Sequence, residues 1–290
     1  MVAPDIEVTA ELARRLLRAQ HPDLAGLRLE LVANGWDNAM LRLGPDLAVR
    51  LPRRAAAAEL VRHEQRWLPE LAPRLPVPVP VPVRVGMPQK EYPWHWSIVP
   101  WRKGERVASR PLPDRRGLAG PLAAFHRALH VPAPPDAPVN PVRGVPLATR
   151  LEAVRRRVDA GIAPPDAAAA VERLARAPGW TGPAVWLHGD PHPGNLLVLD
   201  GGGLAVIDFG DLTSGDPATD LASAWLVFDA AGRAAYRRAL RDVHPPDDPV
   251  WLRARGWAIT MATGLLESTA ADAWLLELGR QALAEALRED

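Results

Sequence analysis

Two carboxylates and a carboxamide carry the chemistry of this chain. They lie in His188-Gly189-Asp190-Pro191-His192-Pro193-Gly194-Asn195 and in Val206-Ile207-Asp208-Phe209-Gly210. Apolar Val185-Trp186-Leu187 delivers Asp190 to a strand end, and Pro191 and Pro193 force a loop after it. Leu196 to Leu199 reads as a strand, Asp200 to Gly203 as a hairpin turn, and Leu204 to Ile207 as the partner strand. Such a hairpin brings its open ends together, so Asn195 and Asp208 are expected side by side, with Asp190 just before them. All three offer only hard oxygen donors, which suits Mg2+, an ion that keeps waters and substrate phosphates in its shell. Asp190 is placed to accept a proton from an attacking hydroxyl. Alternating His188, Asp190 and His192 superficially suit a hydrolytic metal site, but no second histidine cluster follows to complete one. His188 therefore reads as a structural hydrogen-bonding residue, and Asp216 as a helix cap ahead of Pro217.

The order His-Gly-Asp, four residues, Asn, then Ile-Asp resembles the catalytic and metal-binding loops of aminoglycoside phosphotransferases, small-molecule kinases of protein-kinase-like fold. Gly215-Asp216-Pro217-Ala218-Thr219-Asp220-Leu221-Ala222 is similar to that family's Gly-Asp-Pro-x-x-Asp-Leu-Ala segment, and Leu122 to His130 to its first large-lobe helix. The resemblance implies an α+β, bilobal protein-kinase-like fold: a small antiparallel-sheet N-lobe and a larger, mainly helical C-lobe. It implies Asp190 as catalytic base, Asn195 and Asp208 as Mg2+ ligands, Asp220 as a brace of the catalytic loop, and ATP or GTP as donor. The family's third strand carries a Lys paired with a helix Glu, and here the chain departs, with Arg50 in Leu47-Ala48-Val49-Arg50-Leu51-Pro52. An arginine can still clamp phosphates, with a fork in place of a point charge. The macrolide-kinase branch shows a similar Arg-x-Pro-Arg-Arg run. Glu64 is preferred to Glu59 as its partner, because Glu64 shares a helix stripe with Leu60, Trp67 and Leu71 and a carboxylate there needs a cation. Asn38, in the turn Asn34 to Asn38, falls at the family's nucleotide-covering loop. In the resembling hinge, the carbonyl of Pro100 and the amide of Arg102 would meet the base edge.

Positioning these residues requires a β-rich part, residues 1–102, and a helical part, residues 103–290. In the first, Thr9 caps a helix running through Leu12, Leu16 and Leu17. Strands are expected at Leu27 to Val32, Met40 to Leu43, Leu47 to Leu51, near Val83, and at Trp96 to Val99, with a helix over Ala55 to Leu71. In the second, helices are expected at Pro113 to His130, Pro146 to Ala160, Pro165 to Ala177, Pro217 to Leu240, Pro249 to Leu266 and Ala271 to Arg288. Hydrophobic residues make up 48% and charged residues 24% of the 290, which excludes a disordered chain. A net charge of +1 gives no case for nucleic acid or an anionic membrane, and the absence of cysteine excludes disulfides and thiolate metal sites. The longest apolar stretch, Leu221 to Phe228, is too short to span a bilayer. A cytoplasmic monomer or weak homodimer is the expectation.

The implied activity is transfer of a nucleotide γ-phosphate to a hydroxyl of a small molecule, foremost an antibiotic such as an aminoglycoside. A polycationic acceptor needs carboxylates, for which Asp229, Glu267, Asp272 and Glu277 are the candidates. A macrolide or other apolar alcohol would instead use Trp225, Phe228, Trp257 and Met261. A metabolite kinase of the same fold and a nucleotide-binding pseudokinase are the alternatives.

Overall fold

The computed structural model describes residues 4–35, 37–268 and 273–288. It divides into two compact units that interleave in sequence. The first takes the chain to Pro73, then Pro78–Lys103 and Asp208–Gly210. The second takes Arg74–Val77, Gly104–Ile207 and everything from Asp211 on.

The first unit opens with α1 (Ala10–Gln20), whose first turn is closed by the Leu12 N–H donating to Thr9 Oγ1 at 3.1 Å. Its strands are β1 (Leu29–Asn34), β2 (Asn38–Leu43), β3 (Leu47–Pro52), β4 (Arg84–Gly86) and β5 (Trp96–Pro100). They form one antiparallel sheet in the order β1-β2-β3-β5-β4. Leu12, Leu16 and Leu17 of α1 join Leu41, Val49, Tyr92, Trp96 and Ile98 in the core. Between β3 and β4, α2 (Ala55–Leu71) packs on β3 and β5 and buries Val61, Glu64, Trp67 and Leu68. Its phase therefore turns Glu64 inward. The last residue of β4 must be glycine, because a Cβ at Gly86 would fall 1.9 Å from the Trp96 ring.

In the second unit, β6 (Gly104–Arg106) pairs with β8 (Leu196–Leu199), and β8 with β9 (Leu204–Val206). A separate ladder joins β7 (Val185–Leu187) to β10 (Thr213–Gly215). Around them lie α3 (Leu112–Arg115), α4 (Ala119–Leu129), α5 (Leu151–Asp159), α6 (Pro165–Leu174), α7 (Ala218–Leu221), α8 (Ser223–Leu226), α9 (Ala230–Ala239), α10 (Val250–Leu265) and α11 (Ala273–Leu287). Two expected helices are broken. Pro113 to His130 divides at a 3₁₀ turn, Arg116–Leu118, close to helix-weakening Gly117 and Gly120. Pro217 to Leu240 becomes α7, α8 and α9; α9 starts anew because Asp229 is extended (φ −73°, ψ 178°) and its carboxylate recaps the chain at Gly232 N–H. Strands β6 and β10, three residues each, were not expected. α10 is buried on nearly every side, from Val250 and Trp251 to Ala262 and Thr263, and packs against α6, α7, α8 and α11. No helix among the described residues is long and apolar enough to cross a membrane.

Candidate active site

In the second unit, β7 runs directly into the loop bearing Asp190. Gly189 adopts φ +87°, and a Cβ there would lie 2.2 Å from the Asp211 carbonyl oxygen, so only glycine lets the chain turn at this point. Asp220, at 0% exposure, fixes the turn. Its Oδ2 accepts the His188 N–H at 2.8 Å and its Oδ1 the Gly189 N–H at 2.9 Å. Burial pushes Asp220 up, but the hydrogen bond and charge of His130, 3.1 Å away, bring it down to about 2. His188 accepts from the Asp190 N–H at Nδ1 (3.2 Å), so its Nε2–H donates to the Ile207 carbonyl at 3.0 Å. It is a strut between loop and hairpin.

Asp190 itself is contacted from three sides. Asn195 Nδ2 donates to its carbonyl at 3.0 Å and its Oδ2 at 3.2 Å. His192 Nε2 lies 3.3 Å from Oδ2. Because His192 Nδ1 accepts the Gly194 N–H at 3.0 Å, it is Nε2 that carries the ring proton toward Asp190. Arg143, from the segment between α4 and α5, sets its guanidinium 3.6 Å from Asp190 Oδ1 and 3.5 Å from Asp211 Oδ2. Burial raises the Asp190 carboxyl, yet His192, Arg143 and His188 outweigh it and hold the group well below the usual carboxylate range. Asp190 is thus an ionised acceptor at neutral pH. Across the hairpin the Ile207 N–H donates to the Asn195 carbonyl at 2.9 Å, and Asp208 is the next residue along the chain.

In the first unit, Arg50 is buried and bridges two acids. Its Nη1 donates to Glu64 Oε1 at 2.7 Å and its Nη2 to Asp208 Oδ1 at 3.0 Å. Glu59 is exposed and paired with Arg62 instead. Burial, with the nearby Asp208 charge, pushes Glu64 up to about 7 against the opposing pull of Arg50. The Asp208 side chain is 55% exposed, and its backbone sits at φ +61°, a left-handed conformation that Asp tolerates better than most residues. Asn38 faces Pro52 across the β2–β3 ladder, and its Oδ1 is buried without a hydrogen-bond partner. Pro100 ends β5 opposite Leu47, and the Trp101 N–H bonds to the Asp46 carbonyl at 2.8 Å. Arg102 follows in an exposed link of no regular structure.

Residues 28–257 match the model of the phosphotransferase enzyme family. The chain belongs to that family. Solved structures bear out the kinase-like fold. The GDP complex of aminoglycoside 2'-phosphotransferase-IIIa superposes with a TM-score of 0.70 at 19% identity, covering 97% of this chain and 99% of that one. The gentamicin complex of APH(2")-IIa gives 0.60 at 16% identity, covering 98% of both. Macrolide 2'-phosphotransferase MphH from Brachybacterium faecium gives 0.56 at 24% identity, covering 97% of this chain and 98% of that one. A search of curated proteins returns no match.

The remaining candidates of the phosphotransferase are placed as follows. Asp216 caps α7 through the Ala218 N–H (3.0 Å) and receives Arg253 of α10 at 2.7 and 3.1 Å. Asp229 caps α9 and pairs with Arg116, and Glu267 pairs with Arg157 at 2.8 Å. Asp272 lies outside the described residues. Arg143, Asn140 and Asp211 carry no signal in the sequence, and His192 stands there only as part of the discounted metal cluster, not as a partner of Asp190. Asn140 Nδ2 donates to Asp211 Oδ1 at 2.7 Å and so fixes the second acid that Arg143 meets. Arg143 reaches the loop only through tertiary folding, so no spacing in the sequence pointed to it, whereas His192 stood inside the motif.

Proposed function

We propose that this phosphotransferase moves the γ-phosphoryl group of ATP or GTP to a hydroxyl of a small molecule, with Mg2+. Residues 1–102 would be the nucleotide lobe, and residues 103–290 the lobe of the catalytic loop and acceptor. The observation that carries the reading is Asp190, ionised by its neighbours and tethered to Asn195 on one braced loop. The acceptor O–P bond forms as the bond from the γ-phosphorus to the β–γ bridging oxygen breaks. The acceptor proton passes to Asp190 Oδ, and the nucleoside diphosphate leaves. Arg50, held by Glu64, would orient the phosphates as a bidentate fork.

The donor set fits Mg2+. Asn195 commits its amide N–H to Asp190, which leaves its carbonyl oxygen as ligand, and Asp208 has one oxygen besides that bonded to Arg50. Bound there, the ion would offset charge on the nucleotide phosphates. A hydrolytic cage is poorly supported, since no group of three or more His, Asp or Glu with metal-holding geometry occurs among the described residues. The GDP and kanamycin complex of APH(2")-IIIa and ADP-bound APH(2'')-Ib, of the same fold, support a nucleotide donor and a small-molecule acceptor here. Thermal-shift titrations with ATP and GTP, with and without Mg2+, followed by a phosphate-transfer screen of hydroxyl compounds, test the reading. Absence of Mg2+-dependent stabilisation by either nucleotide would overturn it.

A further inference from the structure

Resting on the phosphotransferase reading, we propose that Trp274 is the acceptor-recognition residue and that the acceptor is an uncharged hydroxyl compound with a flat apolar face. Trp274 is the second residue of α11, and its indole lies on the catalytic loop. A Cβ at Gly194 would stand 2.8 Å from its six-membered ring, and the His192 ring centroid is 6.5 Å away. His192 in turn is 3.3 Å from Asp190. One imidazole therefore separates the indole from the group that takes the acceptor's proton. Despite that contact Trp274 remains 42% exposed. The part of the indole left open to solvent, beside a reacting carboxylate, suits the apolar face of a sugar or fused ring.

The charges around it select against the ionic alternatives. Arg106 places its guanidinium carbon 5.5 Å from the Trp274 ring centroid, and Arg143 stands beside Asp190. A polycation would meet both arginines. It would also find Asp229, Glu267 and Glu285 already bonded to Arg116, Arg157 and Arg233. An anion would meet Asp190, which must be ionised to take the acceptor's proton, with Asp211 beside it across Arg143. An uncharged acceptor meets neither repulsion.

The test uses the full chain and three probes: para-nitrophenyl glucoside, the corresponding glucuronide, and kanamycin. Binding is read by saturation-transfer NMR and calorimetry on wild type, Trp274→Ala and Trp274→Phe. Wild type should bind the glucoside most tightly. Trp274→Ala should weaken it about tenfold or more, the scale of a lost aromatic contact with its buried area. Trp274→Phe should stay within about threefold, and Mg2+–nucleotide binding should be equal in all three proteins, which shows that the variants are folded. An unmoved glucoside Kd in Trp274→Ala, absent glucoside binding by wild type, or tighter binding of kanamycin or glucuronide each overturns the proposal. Mg2+-dependent nucleotide hydrolysis by wild type is measured in parallel. Its absence would count against the kinase reading and leave the binding comparison interpretable.

Discussion

The basicity of Asp190, the proposed base, is lowered by the same neighbours that aim it. His192, Arg143 and Asn195 all hold the carboxylate, so an isosteric amide should keep the loop and lose only the chemistry. Asp190→Asn is therefore expected to reduce turnover by about 10²–10⁴-fold with nucleotide affinity nearly unchanged. Steady-state phosphate transfer beside nucleotide titration checks this, and near-normal turnover would remove Asp190 from the mechanism. Arg50 and Glu64 form one buried unit at 2.7 Å. Removing Arg50 leaves Glu64 buried without a cation, and removing Glu64 leaves Arg50 held by Asp208 alone, so Arg50→Ala and Glu64→Ala should each weaken nucleotide binding and turnover. The double variant should be little worse than either single one. Arg50→Lys should also lose activity, because an ammonium cannot reach Glu64 and Asp208 at once as the fork does. Additive effects in the cycle would dissolve the unit. The inward phase of Glu64 was legible from its stripe of apolar neighbours. The roles of Arg143 and Trp274 were not, since nothing in local spacing announces a residue that reaches a loop from elsewhere in the fold.

At the scale of elements, the sheet of the first unit was legible because hairpin turns at Gly35 and Gly44 punctuate alternating runs, and the strands fall within two residues of expectation. The helical unit was less so. Its long apolar runs carry no marker for the extended Asp229 that restarts α9, and β6 and β10 are too short to show a period. Short ladders nonetheless set the loop: β10 pairs Thr213 with Leu187, the residue before His188. Between those strands Gly189 and Asp211 approach so closely that Gly189→Ala combines a left-handed φ with a backbone clash. Neither partner is a flexible side chain that can yield. A loss of about 2–4 kcal/mol is expected, seen as a Tm lowered by several degrees, about 2–4 °C per kcal/mol at this size. Transfer activity should fall further than the unfolded fraction explains, because Asp190 is displaced with the turn. An unchanged Tm would mean that the turn relaxes freely and does not constrain Asp190.

For the whole molecule, two of the buried titratable groups pull the dependence of stability on pH in opposite directions. His126 is fully buried between α4 and α9, with Nδ1 2.6 Å from the Tyr236 hydroxyl and its ring stacked on His130 at 5.3 Å. Burial drives it from an ordinary 6.5 down to about 3, with His130 and His188 adding to the fall and Asp220 opposing it. A depressed histidine contributes stability that is complete above 6.5 and is lost as pH falls toward 3. The slope reaches about 1.4 kcal/mol per pH unit. Glu64 acts in reverse. Raised by burial from 4.5 to about 7, it contributes stability that is complete below 4.5 and is lost as pH rises through 7. Between 4.5 and 6.5 the two slopes oppose, so wild type should show a shallow acid loss there, followed by a steep one below 4.5. Urea unfolding across pH 4 to 8 separates them. His126→Asn keeps an acceptor for the Tyr236 hydroxyl and removes the titration, so the acid loss of stability between pH 7 and 4.5 should shrink against wild type, leaving Glu64 opposed by His63 and His244, which burial also lowers. Glu64→Gln should do the opposite and expose the full acid loss of His126 from 6.5 downward. If His126→Asn leaves the curve parallel to wild type, His126 is charged in the fold, and the α4–α9 core must supply a partner for it other than Tyr236.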